Sequence, residues 1–250
     1  MKIGFSSHPG MVRTHNEDYL VVDQEIGLLL VADGVGGHQG GEVASKLGAE
    51  TIQREIRRRL QADPQTQVSD VIREAVYQAH RAILESAAQD PALIGMGTTV
   101  VLGLFYQGAF HVAHVGDSRA YLISPHSITP LTGDHSLVSN LIKTGEITER
   151  ESRSHVWRHV ITQCLGCNDY VGPDITTPAC RPGDLLLFCT DGLTDLVRDR
   201  RIQKLAWKNR QDLYRGAETL VALANKKGGN DNITIVLAEI PWEEPSHQGA

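Results

Sequence analysis

Three strand-like runs, "TTVVLGLFY", "GAFHVAHVG" and "RAYLIS", follow one another between Thr98 and Ser124, joined only by "QG" and "DS". A parallel pair needs a crossover of a dozen or more residues, so connections this short restrict the pairing to antiparallel, and both joints are expected to be hairpins. Elsewhere strands and helices alternate in blocks. Val43, Leu47, Ile52, Ile56 and Leu60 recur at helical spacing, as do Val68, Ile72, Val76, Ala79 and Ile83, and Asp63-Pro64 marks the turn between them. A further helix is expected in "LYRGAETLVALANKKGG", followed by a last strand, "NITIVLAEI". The pattern predicts antiparallel sheets flanked by helices.

"GLLLVA" and "DLLLFC" are apolar at successive positions, as expected of interior strands covered on both faces. No repeat or low-complexity linker divides the 250 residues, so one domain is expected over 1–240, with a frayed tail at 241–250. Residues 133–156 are polar and irregular, with two short helical pieces. "SLVSNLIKTG" ends in a glycine, and "TERE" carries a capping box at Thr148 and Glu151.

The net charge of -6 comes with no like-charge block beyond Arg57–Arg59, which argues against nucleic acid or an anionic membrane as partner. No apolar stretch approaches the roughly 20 residues of a membrane span, and the start "MKIGFSSHPG" lacks the apolar core of a signal peptide. A soluble, cytoplasmic protein is the expectation. Four cysteines make no disulfide framework, which suits a reducing compartment. Cys164 and Cys167 form a lone C-x-x-C, read here as ordinary packing residues rather than a zinc or redox motif.

The chemistry concentrates where strands end. "LLLVADGVGGHQGG" opens after Asp33 into a loop with five glycines in eight residues, open to three readings: a phosphate-cradling loop, a turn, or one side of a metal site. A dinucleotide fingerprint would need a sixth-position glycine after Gly34 and Gly36, but Gln39 stands there, and no Walker-type lysine follows. A lone Asp-Gly is a favoured turn pair. Against a bare turn stands its twin in "LLLFCTDG" at Asp191, and further acids lie at strand boundaries: Glu17, Asp18, Asp117 and Asp231. Carboxylates converging on one sheet edge repel unless something positive sits among them, and oxygen-only ligands suit a hard divalent ion, Mg²⁺ or Mn²⁺. Zinc would call for His and Cys. The one helix-spaced pair, His155 and His159, is read as surface or packing.

Taken in order, "RTHNED", "ADGVGGHQGGEVAS", "GMGTTVV", "HVGDSRAYL", "DHSLV", "CTDGLTD" and "GGNDNIT" resemble the metal-dependent serine/threonine protein phosphatases of type 2C in their compact bacterial form. The resemblance implies an α+β fold, a four-layer α-β-β-α sandwich of two antiparallel sheets flanked by helix pairs. It implies Asp33 bridging two Mn²⁺ or Mg²⁺ ions, with the Gly34 carbonyl and Glu17 serving one ion and Asp191 and Asp231 the other. Asp18 would support these ligands from behind. Asp117 with Asp191 would hold a third, looser ion, Arg13 would hold the substrate phosphate, and residues 133–155 would form a flap beside the site.

The implied reaction is hydrolysis of phosphoserine or phosphothreonine by direct attack of a water or hydroxide bridging the two ions. Phosphorylated proteins would be the substrates, a serine/threonine kinase the counterpart in signalling, and the monomer the working form. Animal members carry His after the first Asp-Gly, where this chain has Val35, and His38 becomes the candidate general acid, with loop shaping as its alternative. Two other functions remain open at this point: a phosphoprotein-binding pseudophosphatase, and a two-metal hydrolase of small phosphate esters.

Overall fold

The computed structural model describes residues 1–36 and 40–241, so His38 and the tail from 242 onward lie outside the described residues. One sheet contains β2 (Asp18–Asp23), β3 (Leu28–Val35), β5 (Val100–Tyr106), β6 (Ala109–Val115) and β9 (Asp174–Thr176) in that spatial order, with the short β4 (Gly97–Thr98) paired to the end of β3. The other runs β1 (Ile3–His8), β11 (Ile233–Glu239), β10 (Leu185–Cys189), β7 (Arg119–Ile123) and β8 (Ile128–Pro130). Every named strand pairing is antiparallel.

Both faces of the central strands are covered, which explains their unbroken apolar sequence. Leu28, Leu30 and Ala32 pack under α1 (Gly40–Ala62) and α2 (Val68–Gln89), while the intervening Leu29 and Val31 face the second sheet. On β10 the same alternation sends Leu186 and Phe188 between the sheets. Leu185 and Leu187 turn toward α6 (Asp199–Lys208) and α7 (Leu213–Lys226). The result is the four-layer α-β-β-α sandwich expected from the sequence. α6 had no forecast, being ten residues long and opening on three charged side chains, although Ile202, Leu205 and Ala206 share one helical face.

One expectation is corrected. "QG" makes the predicted hairpin between β5 and β6, with Gln107 at φ 51° and Gly108 at φ 77°, the paired positive angles of a two-residue turn matched to strand twist. "DS" makes none. β6 stays in the first sheet while β7 joins the second, so the chain changes sheets at Gly116–Ser118. This crossing carries Asp117 to the end of the sandwich where the two sheets meet.

Between β8 and β9 the chain forms α3 (Leu137–Lys143) and α4 (Glu149–Ser152). The forecast capping box is present: Glu151 N–H donates to Thr148 Oγ1 at 3.3 Å and Thr148 N–H to Glu151 Oε2 at 2.8 Å. Gly145 closes α3 at φ 77°. α5 (Asp191–Thr194) completes the helices. Among the described residues no helix is long and apolar enough to cross a membrane.

Candidate active site

The acids singled out in the sequence come from separate elements and meet at one end of the sandwich. Asp18 opens β2 and stands in register with Asp33 near the end of β3. Asp191 follows β10 as the first residue of α5, and Asp231 lies just before β11. Thr190 Oγ1 donates to Asp18 Oδ2 at 3.0 Å, tying the sheets together at this point. Glu17 sits one residue before Asp18, and its carbonyl accepts the Gly34 N–H at 3.1 Å. Arg13 reaches in from the β1–β2 loop and donates to Asp231 Oδ2 at 2.8 Å.

The glycines of the opening loop serve this crowding. A Cβ on Gly34 would run into the backbone of Gly41 and Glu17, and one on Gly41 would lie 2.8 Å from the Glu17 carboxyl carbon. The start of α1 therefore packs directly on the segment that presents Asp33 and Gly34. From the other side Asp33 is held by "GTT": its N–H donates to Thr99 Oγ1 at 3.2 Å and its carbonyl accepts Thr98 Oγ1 at 2.9 Å. Thr99 Oγ1 also lies 2.8 Å from Ser118 Oγ, which connects Asp33 to the sheet-changing loop of Asp117.

A profile for the family described as "Protein phosphatase 2C" matches residues 12–234, which contain this whole arrangement. The chain belongs to the protein phosphatase 2C family. Among its relatives is the "Serine/threonine phosphatase stp" of Listeria monocytogenes, 33% identical over 242 residues that cover 96% of both chains. The serine/threonine phosphatase PstP/Ppp of Mycobacterium tuberculosis superposes with a TM-score of 0.87 at 35% identity, covering 96% of this chain and 99% of that one. A structure of the PstP catalytic domain in complex with 2 manganese ions superposes at 0.83, with 34% identity, over 95% of this chain and 97% of that one.

In this phosphatase 2C chain the crowding has an electrostatic signature. Burial, then the charges of Asp18, Asp191, Asp117 and Asp231, hold the Asp33 carboxyl well above the usual carboxylate range. Burial and then Asp117, Asp195, Asp231 and Asp18 do the same to Asp191. Asp18 is pushed up to about 7 by burial, against the hydrogen bonds from Thr234 and Thr190, and its Oδ1 is a buried oxygen with no hydrogen-bond partner among the described residues. Asp117 is pushed up to about 7 by burial and by Asp134, opposed by Arg119.

Crowded, mutually repelling carboxylates, with one oxygen that lacks a partner among the described residues, fit a multivalent cation, and the donor set is almost wholly oxygen, as Mn²⁺ or Mg²⁺ prefers. The shifts also fix a sign for the metal-stripped protein. Carboxyls with raised folded pKa values bind more protons folded than unfolded, so their contribution to stability is present at low pH and is lost as pH rises through the folded values. Chelator-treated protein is expected to melt higher at about pH 5.5 than at about pH 7.5, as read by calorimetry.

Two residues beside the site escaped the sequence reading, and a third was read only as surface or packing. Asn232 is buried, accepts the Glu17 N–H at 2.8 Å and donates to the carbonyls of Pro9 at 3.0 Å and His15 at 2.9 Å, so one amide pins the Arg13 loop and Glu17 beside Asp231. Asp195, the last residue of "CTDGLTD", and His159 join Asp191 with one ligand atom each inside 4.8 Å of one another. His159 is exposed, in keeping with the surface reading of the sequence, and its Nδ1 lies 3.5 Å from Asp195 Oδ2.

His114, His135 and Asp174 form another close trio, with different chemistry. His135 Nδ1 accepts the Gly116 N–H at 3.2 Å, so the proton belongs on Nε2, directed at Asp174 Oδ2 3.3 Å away. That nitrogen has no lone pair for a metal, and the trio braces the Asp117 loop instead. A last correction concerns Cys164 and Cys167. Read as ordinary packing residues, they have their sulfurs in bonding contact, with Cα atoms 5.5 Å apart.

Proposed function

We propose that the protein is a serine/threonine phosphatase that hydrolyses phosphoserine and phosphothreonine in phosphorylated proteins, using two Mn²⁺ or Mg²⁺ ions and a weaker third. The observation that carries this reading is the convergence of Asp18, Asp33, Asp117, Asp191 and Asp231 from different strand ends into one crowded cluster. Asp33, Asp191, Asp231, Glu17 and the Gly34 carbonyl would hold the two core ions, with Asp18 supporting them from behind. Asp117 and Asp191 would hold the third, near His159 and Asp195. When bound, such ions supply an activated water at neutral pH and a positive field for the phosphate.

The chain's own residues bring the substrate to that field. Arg13, held at the mouth of the cluster by Asp231, offers the planar fork of donors that suits a phosphate dianion. His38 is the candidate proton donor to the leaving alkoxide. Residues 133–155 would act as a flap over the entrance within a single catalytic domain spanning 1–240. A monomer acting opposite a serine/threonine kinase, in the cytoplasm, completes the reading.

Arg13→Ala is expected to raise KM for a phosphothreonine peptide about 10-fold or more while Mn²⁺ half-saturation changes far less, since a single charge-assisted contact to phosphate is worth roughly 1.5–3 kcal/mol. Steady-state kinetics at saturating Mn²⁺ reads this directly, and an unchanged KM would remove Arg13 from phosphate binding. A panel of phosphopeptides, p-nitrophenyl phosphate and nucleotides, assayed with Mn²⁺ and with chelator, tests the function itself. Preference for phosphopeptides is the expected outcome, and turnover confined to nucleotides would overturn it.

A further inference from the structure

The C-x-x-C lies outside the oxygen-rich cluster and plays no part in the chemistry above, yet its position connects it to the site. Leu165, between the two cysteines, bridges Thr98: Thr98 N–H donates to its carbonyl at 3.0 Å and its own N–H to the Thr98 carbonyl at 2.9 Å. Thr98 is in register with Gly34, and its hydroxyl donates to the Asp33 carbonyl. Only one strand residue therefore separates the cysteine turn from the backbone of Asp33 and Gly34. The sulfurs also press on β4 itself, since a Cβ on Gly97 would lie 2.9 Å from Cys164 Sγ and 3.4 Å from Cys167 Sγ. On the outer side the turn is anchored to α2, where Gly166 N–H donates to His80 Nδ1 at 3.1 Å and His80 stacks on Tyr170 with ring centroids 4.2 Å apart.

We propose that Cys164 and Cys167 are a redox-active pair whose closure to a disulfide braces β4 against Asp33 and Gly34 and so tightens metal binding. The proposal rests on the reading of those two residues as metal ligands. The Cα separation of 5.5 Å is one that a disulfide spans without backbone movement. Cys164 is fully buried whereas Cys167 is partly exposed, the asymmetry that thiol–disulfide exchange uses. The Cys167 thiolate attacks one sulfur of a low-molecular-weight disulfide, RSSR, and releases RS⁻, which takes up the proton Cys167 gave up. Cys164 then loses its proton, attacks Cys167 Sγ in the mixed disulfide and releases the second RSH. Two protein thiols are oxidised by two electrons, and one RSSR is reduced to two RSH. Reduction removes the covalent link across the turn, so the two hydrogen bonds by which Leu165 holds Thr98 then rest on a looser loop.

The full-length protein would be equilibrated in buffers of graded reduced to oxidised glutathione, trapped with N-ethylmaleimide and analysed by peptide mass spectrometry. Cys164 and Cys167 are expected to lose alkylation together in one two-electron step, while Cys189, buried and outside any disulfide, keeps constant labelling when the trapped protein is denatured in N-ethylmaleimide. Mn²⁺ affinity, measured by competition with a metal indicator on the same samples, is expected to be about 5-fold or more tighter in the oxidised form. In Cys167→Ser, whose change falls at the more exposed position, affinity should no longer respond to the glutathione ratio. Absence of the joint step would overturn the pair, and a joint step with equal Mn²⁺ affinity in both forms would overturn the coupling. A joint step with no Mn²⁺ binding in either form would instead count against the metal-site reading on which the coupling rests.

Discussion

Asp33→Asn is expected to abolish metal-dependent turnover, by on the order of 10³-fold or more in kcat/KM, while making the metal-stripped protein more stable. The two effects share one cause. Asp33 stands in register with Asp18 and is surrounded by the charges of Asp191, Asp117 and Asp231, so its carboxylate is held in place against burial and repulsion. An amide of the same shape removes one negative charge from the cluster and one ligand from the ions. Loss of a group that only orients a ligand typically costs 10–100-fold, and loss of a shared ligand should exceed that. Relief of repulsion should raise the melting temperature of chelator-treated protein by a few degrees, since about 1 kcal/mol corresponds to roughly 2–4 °C at this size. Calorimetry of wild type and variant in chelator, with kinetics in Mn²⁺, checks both. A variant that is inactive but also less stable would indicate that Asp33 supports the fold rather than a cation.

Asn232→Ala is expected to have the second largest effect, on a residue that touches neither ion nor substrate in the proposed scheme. Its side chain makes three hydrogen bonds, to Glu17 N–H and to the carbonyls of Pro9 and His15, in a position only 4% exposed. Alanine leaves one donor and two acceptors without partners, at about 1 kcal/mol or more each, so a loss of about 3 kcal/mol is expected in denaturant unfolding. The same change frees the Arg13 loop and the Glu17 backbone, and Mn²⁺ affinity should fall about 10–100-fold. Asn232→Asp sharpens the test, because a carboxylate still accepts the Glu17 N–H but cannot donate to the carbonyls of Pro9 and His15. It should remain destabilised, whereas full rescue by Asp would show that only the Glu17 contact counts.

These two residues also mark how far the sequence could be read. Asp33 was visible because an apolar run ending in Asp-Gly occurs twice, and because several acids at strand boundaries need a counter-charge if they converge. Asn232 was hidden because an Asn before a strand is ordinary turn chemistry, and only three-dimensional closure brings Glu17 and the residue 9–15 loop around it. The crossing at Gly116–Ser118 was hidden for a related reason. Two residues suffice for a hairpin, and equally for a change of sheet when the sandwich faces meet at that end. Interior strands were readable from their unbroken apolar runs; α6 was overlooked although Ile202, Leu205 and Ala206 fall at helical spacing, because it spans only ten residues between charged stretches. His159, Asp195 and the cysteine pair gain meaning only from neighbours distant in the chain.

Hydrolysis of a phosphothreonine peptide by chelator-stripped protein, followed before and after stepwise return of Mn²⁺, bears most directly on the aspartate cluster as a metal-dependent phosphatase site. No turnover above background without metal is expected, with activity restored by Mn²⁺ in wild type but not in Asp33→Asn. Turnover that continues undiminished in chelator, or that Asp33→Asn retains, would contradict it.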